Sequence, residues 1–476
     1  MNDIRLFIIL LLAGIVLSCS MESNPPLSLH PENPHYFLFR GKPAILIGST
    51  ESYMAVVSKD FNYIAYLNEI ASSGLNVTRT FSGVLVGPSG LNPKIGTFTI
   101  APERYLCPWS RSSVPGYPNG GNKFDLTKWD EAYFSRLKDF VTEAGKRNIV
   151  VELDLFSNYY DTVHWKLSPL YFANNININD KTKKYKEILS LSHPEILEVQ
   201  EKMVRKIISE LKNFDNLYYE ICNEPYYNYK KPPVDWEKYM TAVVVDAEKD
   251  FVHKHLISNN IANNFLKLEN SRENVSIYNF HYARPPVAVT MNYQLNKVIG
   301  DNETGFDGRE DEPYRNEAWN FILAGGGIFN HLDYSFTAGN EDGTFIITKG
   351  IPGGGGKSLR HQFRILVDFM KGIDYINMVP DTSFIRILKP ENSTVHALVG
   401  KDETYAAYIN NSADQKDMTI SEIEVDLPVG SYEVIWLNTK TEAKEISKLD
   451  KHPGGKLRLV SPEYSRDIAL KITALK

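Results

Sequence analysis

Polar and apolar positions along this chain fall into two textures. In the first, short apolar runs alternate with longer segments of helical period. The runs are 43–48 (PAILIG), 75–81, 149–156, 216–225, 255–261, 275–281, 297–300 and 325–336. Apolar runs of this length, bounded by turn residues, predict buried strands. Between them, 61–71, 129–145, 194–211, 236–252, 317–324 and 359–372 place apolar residues on one helical face. Gly74 is a natural stop for the first helix, and Asp125 and Thr127 are cap candidates for the second. Strands alternating with helices form an α/β pattern. Ahead of it, 36–40 and 43–48 flank Gly41-Lys42 as a hairpin-like entry. From Phe384 onward the texture changes to short alternating strands at 394–399, 404–409, 423–426, 431–436, 457–459 and 469–472. Turn signals separate them at about the spacing of a β-sandwich.

Polar side chains gather where the apolar runs stop. The stretch 216–225 reads NLYYEICNEP, and its strand ends at Asn223-Glu224-Pro225, where proline removes a backbone donor. Arg79 lies at the end of the second run, and Glu51 follows the first. The sixth ends in His281-Tyr282, and the seventh runs into Asp301-Asn302-Glu303-Thr304-Gly305. The eighth carries Asn330, His331, Asp333 and Tyr334. Two long aromatic loops, 82–123 with Tyr105, Trp109 and Tyr117, and 158–171 with Trp165, have the length expected of walls over a site.

Asn223-Glu224-Pro225 after an apolar strand resembles the fourth-strand signature of clan A glycoside hydrolases, the cellulase-like families among them. A strand ending in Glu303-Thr304-Gly305 resembles that clan's nucleophile position. The resemblance covers roughly 37–372, with its specific motifs at strand ends. It implies a (β/α)8 TIM barrel with chemistry at the C-terminal ends of the strands. It also implies a retaining glycosidase, with Glu224 as general acid/base, Glu303 as nucleophile and Asn223 as partner of the sugar 2-hydroxyl. Arg79 would then touch the nucleophile, His281 would tune a nucleophile or acid by hydrogen bonding, and Tyr282 is expected beside it at the substrate. Asp301 is the competing carboxylate on the same strand. Glu51, Asn330, Asp333 and Trp109 are expected at the substrate. The tryptophan expected after the eighth strand is not evident. The C-terminal strands resemble the sandwich often appended to such barrels, expected to pack and not to bind sugar.

That chemistry needs two carboxyl groups flanking one glycosidic bond and no metal or organic cofactor. The acid should have a raised pKa, which the nucleophile's negative charge can supply. The alternative, a non-catalytic glycan-binding lipoprotein on a barrel scaffold, is disfavoured by the presence of both glutamates. A metal-dependent hydrolase is disfavoured because no His-x-His marks the first strand.

Composition narrows the partners. A chain of 476 residues exceeds one ordinary core. A net charge of −6 with no long basic run argues against nucleic acid. The aromatic content of 12% suits carbohydrate as well as core packing. Gly353–Gly356 before Lys357-Ser358 lacks the spacing of a phosphate loop. At the N-terminus, Arg5 precedes an apolar stretch at 6–17, the layout of a secretory signal. Val16-Leu17-Ser18-Cys19 resembles a bacterial lipobox, which implies lipid on Cys19 and an exported, envelope-bound protein. The expected division is signal 1–19, tether 20–35, barrel 36–378 and sandwich 379–476. Carbohydrate and, through the lipid, a membrane are the expected partners. An oxidising compartment permits a bridge between Cys107 and Cys222, but Cys222 sits within an apolar strand and reads as a small core residue.

Overall fold

The computed structural model describes residues 24–87, 97–179, 181, 184–227, 231–411 and 418–475. Residues 1–23, and with them Cys19 and the leader, lie outside the described residues. The described chain begins with a small antiparallel sheet of β1 (Ser28–Leu29), β2 (Phe37–Phe39) and β3 (Lys42–Ala44). This sheet makes the floor of the barrel. Leu27 and Phe37 are buried against Leu46, Val77, Val150, Ile277, Val298 and Ile328, each the first residue of a barrel strand.

The barrel opens with β4 (Leu46–Thr50) and β5 (Val77–Phe81). An external hairpin, β6 (Trp109–Pro115) with β7 (Asn122–Trp129), interrupts it. Then come β8 (Val150–Ser157), β9 (Leu217–Asn223), β10 (Ile257–Asn263), β11 (Ile277–His281), β12 (Val298–Thr304) and β13 (Ile328–Leu332). The eight strands are parallel, in the order β4-β13-β12-β11-β10-β9-β8-β5. Asn76 stitches the remaining seam between β4 and β5. Its backbone N–H donates to Ile47 O, its side-chain oxygen accepts from Ile47 N at 2.8 Å, and its amide donates to Ile45 O at 2.8 Å. Every residue of β4, β5, β8, β9, β11, β12 and β13 is buried. Strands covered on both faces read as continuous apolar runs, which is why the sequence shows runs and not alternation.

Among the described residues there are eight α-helices: α1 (Tyr63–Ser72), α2 (Glu131–Lys146), α3 (Thr162–Leu167), α4 (Pro194–Leu211), α5 (Val234–Ala247), α6 (Val287–Asn292), α7 (Asp311–Leu323) and α8 (Lys357–Lys371). The second begins later than its pattern predicts. Asp130 caps it, accepting from Ala132 N at 2.9 Å and Tyr133 N at 3.3 Å. Asp125 and Thr127 lie instead on β7 and bond to each other. Among the described residues, no helix is long and apolar enough to cross a membrane.

The C-terminal unit is antiparallel: β14 (Met378–Pro380), β15 (Ile385–Lys389), β16 (Thr394–Gly400), β17 (Thr404–Asn410), β18 (Glu422–Leu437), β19 (Lys444–Val460) and β20 (Asp467–Leu475). Two of the expected short strands are one, β18. It pairs with β15 along its first half and β20 along its second, wrapping a separate apolar core of Ile409, Ile423, Val425, Tyr432 and Ile472. This unit is fused to the barrel, because Leu398, Ala406, Tyr408, Leu437 and Ala469 belong to the barrel's own apolar core. Trp319 of α7 stacks on Tyr408 with ring centroids 5.5 Å apart. Cys107 and Cys222 are both buried and unbridged.

Candidate active site

Two strand ends take up backbone conformations that non-glycine residues seldom adopt. Glu224, the residue after β9, has φ of 46°, and Tyr282, the residue after β11, has φ of 54°. Both are pinned by neighbouring strands: Glu224 N donates to Asn260 Oδ1 at 2.9 Å, and Tyr282 N to Glu303 O at 2.9 Å. The register of β12 against β11 and β13 slips between Asp301 and Thr304. A bulge of this kind re-aims side chains. Asn302 reaches Glu152 and Glu220 inside the barrel, while Glu303 reaches Arg79 and Tyr282 at the mouth.

The same slip sets Asp301 apart from Glu303. It is fully buried, accepts from Ala283 N at 3.2 Å and pairs with Glu317 of α7. Burial, then the Glu317 charge, pushes its pKa well above the carboxylate range.

Glu224, His281 and Glu303 form one cluster. His281 Nδ1 lies 3.1 Å from Glu224 Oε1 and 3.9 Å from Glu303 Oε1. Carboxylate oxygens of the two glutamates fall within 4.8 Å of each other. Tyr282 Oη donates to Glu303 Oε1 at 2.7 Å and Arg79 Nη1 to Glu303 Oε2 at 2.9 Å, so both Glu303 carboxylate oxygens are held. Asn223 accepts from Arg79 Nη2 at 2.9 Å and donates to Ser157 Oγ at 3.1 Å and Tyr160 Oη at 2.9 Å.

The electrostatics reverse one expectation. Burial works to strip His281 of its proton, but the negative charges of Glu303 and Glu224 outweigh it and raise the imidazole pKa. Burial likewise favours a neutral Glu224, yet the hydrogen bond and charge of His281 prevail and lower its pKa. These shifts run opposite to the raised acid pKa expected of Glu224.

Beneath the mouth, the buried Arg79 guanidinium is ringed by acids. Its Nε lies 2.7 Å from Glu152 Oε1, and its Nη2 lies 2.8 Å from both Asp154 Oδ1 and Glu220 Oε1. Burial, then the Glu220 charge, raises Glu152 to about 7, and burial raises Asp154 well above its ordinary value. Among the described residues, two groups bring ligand atoms close enough for a cation, Glu224–His281–Glu303 and Glu152–Asp154–Glu220. In each, a side chain of the protein supplies positive charge: His281 in the first, Arg79 in the second. Glu152, Asp154, Glu220, Ser157 and Tyr160 went unread in the sequence. Glu152 and Asp154 did leave a signal, acids two apart inside an apolar run.

Four expected substrate contacts lie elsewhere. Glu51 is buried as a loop staple, accepting from Met54 N, Ala55 N and the Thr97 hydroxyl. Trp109 begins β6 and is 1% exposed, because the hairpin folds it into the core. Asn330 faces the barrel interior, donating to Thr50 Oγ1 and Asn302 O. Asp333 is consumed by Arg360 Nη1 at 2.6 Å, Ser49 Oγ at 2.9 Å, Ser335 N and Gly356 N. The cavity beside Glu303, about 300 Å³, is lined instead by Tyr53, Phe81, Phe98, Phe306 and Tyr334, among others.

Residues 41–267 match the model of the cellulase family, glycosyl hydrolase family 5. The barrel is a glycosidase domain. The match takes in Arg79, Asn223 and Glu224 of this glycosidase and ends before His281, Tyr282 and Glu303. No curated protein matches the chain. Among solved structures, one described as a glycoside hydrolase aligns with a TM-score of 0.63 at 14% identity, over 95% of this chain and 97% of that one. A glycoside hydrolase family 5 protein from Bacteroides vulgatus ATCC 8482 aligns with a TM-score of 0.62 at 12% identity, over 95% and 93%. At such identities the likeness is one of fold.

Proposed function

We propose that this glycosidase cleaves poly- or oligosaccharides with retention, through double displacement, using Glu303 as nucleophile and Glu224 as acid/base. The observation that carries the reading is the separation of their carboxylate oxygens, within 4.8 Å. A covalent glycosyl intermediate calls for carboxyl groups roughly 5–5.5 Å apart, whereas an inverting enzyme needs roughly 6.5–9.5 Å to admit a water. Glu303 attacks the anomeric carbon while Arg79 and Tyr282 hold both its oxygens in place. Glu224 protonates the departing oxygen, using the proton that His281 holds 3.1 Å away. In the second half, Glu224 takes a proton from water, the hydroxide oxygen bonds to the anomeric carbon, and the Glu303 ester breaks. None of these steps calls on a metal or an organic cofactor.

The Val16-Leu17-Ser18-Cys19 tetrad supports a further part of this reading, in which lipid on Cys19 holds the enzyme on a bacterial envelope. The test of activity is a panel of 4-nitrophenyl β-glucoside, β-mannoside, β-galactoside and β-xyloside with plant and host glycans, with and without chelator. Proton NMR of the first-formed product then reads stereochemistry. Retention, indifferent to chelator, is expected. An inverted first product overturns the double displacement.

A further inference from the structure

Asp301 of β12 and Glu317 of α7 bring two buried carboxyl groups together behind the barrel mouth. One oxygen of each has an ordinary donor: Asp301 Oδ2 accepts from Ala283 N at 3.2 Å, and Glu317 Oε2 from the Thr304 hydroxyl. Among the described residues, no N–H or O–H hydrogen-bonds to the other two, Asp301 Oδ1 and Glu317 Oε1. Arg284 Nε stands 3.4 Å from Glu317 Oε1, an ion pair only. Yet the two carboxyl groups are hydrogen-bonded to each other. Two ionised carboxylates have no proton to donate, so such a bond requires that one of them be a carboxylic acid. A proton between them also satisfies oxygens that would otherwise be buried unpaired. Burial, then the Glu317 charge, favours the acid form on Asp301. The other charges that bear on the pair are Arg284 and Asp307, on the loops after β11 and β12, which meet each other at 2.7 Å.

The two tethers of this pair flank the mouth residues. Ala283 follows Tyr282, whose φ of 54° persists only where the surroundings impose it. Thr304 follows Glu303. Asp301 therefore fastens the neighbour of Tyr282, and Glu317 fastens the neighbour of Glu303. Tyr282 N donates to Glu303 O and Tyr282 Oη to Glu303 Oε1, so both tethers converge on one carboxylate. Support of this kind matters to a reacting group, because a misplacement of about 1 Å can cost ~10²-fold in rate.

Taking Glu303 as the nucleophile of the double displacement above, we propose that Asp301 and Glu317 share one proton and act as positioning residues, setting Tyr282 through Ala283 and Glu303 through Thr304. Neither touches the sugar. They keep the nucleophile aimed, so they govern kcat and leave substrate binding alone.

The experiment compares wild type with Asp301→Leu, Asp301→Asn and Thr304→Val on whichever 4-nitrophenyl β-glycoside of the panel turns over best. Asp301→Leu fills similar space without either hydrogen bond, and its kcat should fall by about 10²-fold with KM unchanged. Asp301→Asn restores an acceptor for Ala283 N and a donor toward Glu317, and with them kcat. Thr304→Val cuts only the Glu317 tether and lowers kcat in the same sense. It decides the matter where Asp301→Leu does not fold. A wild-type kcat in folded Asp301→Leu, or failing that in Thr304→Val, overturns the proposal. The shared proton is read apart from activity, by infrared difference spectra of wild type and Asp301→Asn at neutral pH. The C=O stretch of a carboxylic acid should vanish in the variant, and an unchanged band overturns the sharing. Inactivity of the wild type toward the whole panel, or full activity in Glu303→Ala, falls on the double-displacement reading instead. NMR titration of His281, which stands 3.9 Å from Glu303 Oε1, then decides the positioning. It should move in Asp301→Leu, and an unmoved titration counts against the proposal.

Discussion

Arg315 of α7 and Asp467 of β20 meet in a buried bidentate ion pair across the boundary between barrel and sandwich, with Nη2–Oδ1 at 2.6 Å and Nε–Oδ2 at 3.0 Å. The Thr439 hydroxyl donates to the same carboxylate, and Gln362 Oε1 accepts the remaining Arg315 donor at 2.7 Å. Removing one partner leaves a buried charge unpaired, a loss of roughly 3–5 kcal/mol. Arg315→Ala is therefore expected to lower the unfolding free energy by about that amount in urea melts, with turnover per folded molecule retained. Deleting the chain after Asp381 removes Asp467 and Tyr408 together and should leave an insoluble barrel. A soluble truncated barrel that has lost only polymer binding would make the sandwich a sugar-binding module.

Glu303→Ala is expected to reduce turnover by about 10⁶-fold, the scale seen when a catalytic nucleophile is removed. Asp301→Asn keeps both a donor toward Glu317 and an acceptor for Ala283 N, so its activity stays near wild type. Steady-state kinetics of the two variants separate the roles. Full activity in Glu303→Ala would return the assignment to Asp301.

In the proposed scheme, Glu224→Ala removes the proton donor but not the nucleophile. Turnover of glycosides with good leaving groups should fall less than the roughly 10²–10⁴-fold typical of general acid loss, and unactivated substrates should show the whole deficit. Azide, entering where the base-activated water would, is expected to restore the rate and give a glycosyl azide of retained configuration. Chromatography and NMR of the product check this. An azide of inverted configuration contradicts the scheme.

The position of the proton gives a pH signature. The imidazole pKa of His281 is raised by the charges of Glu303 and Glu224, despite burial. Its proton is therefore held to higher pH than an unperturbed imidazole's and leaves as pH rises through the raised value. The alkaline limb of kcat/KM should follow that loss, because the acid is then unsupplied. Replacing either carboxylate by its amide, as in Glu303→Gln, removes a stabilising charge and should move the imidazole titration to lower pH. NMR of the ring carbon-bound protons reads this directly, and an unmoved titration refutes the coupling.

Lipid on Cys19 is testable apart from catalysis. Cells expressing the full chain should incorporate labelled fatty acid into it, and Cys19→Ala should abolish both labelling and membrane retention. A single acyl chain binds a bilayer only marginally, so stable retention implies more than one. Equal release of both proteins into the medium argues against the anchor.

How much of this was legible depended on how far each signal reached along the chain. The barrel strands could be read because burial on both faces makes them continuous apolar runs. The placement of Glu224 and Glu303 at strand ends could be read because each closes such a run with a turn residue after it. The same continuity hid Glu152, Asp154 and Glu220, since a run without alternation does not say which side chains face inward. Asp333 looked available because its partner Arg360 lies a helix away, and Trp109 looked like a lid because nothing local announced the β6–β7 hairpin. Each miss is a tertiary contact overriding a local cue.

The hairpin under the barrel has a directional consequence. Leu27 and Phe37 stopper the end of the strands opposite Glu224 and Glu303, and the first described residues of the chain lie at that stoppered end. An acyl anchor there would hold the molecule like a cup on a short stem, brim outward. The sugars of the supporting bilayer would then be out of reach, and only glycans approaching from the surrounding medium would meet the brim.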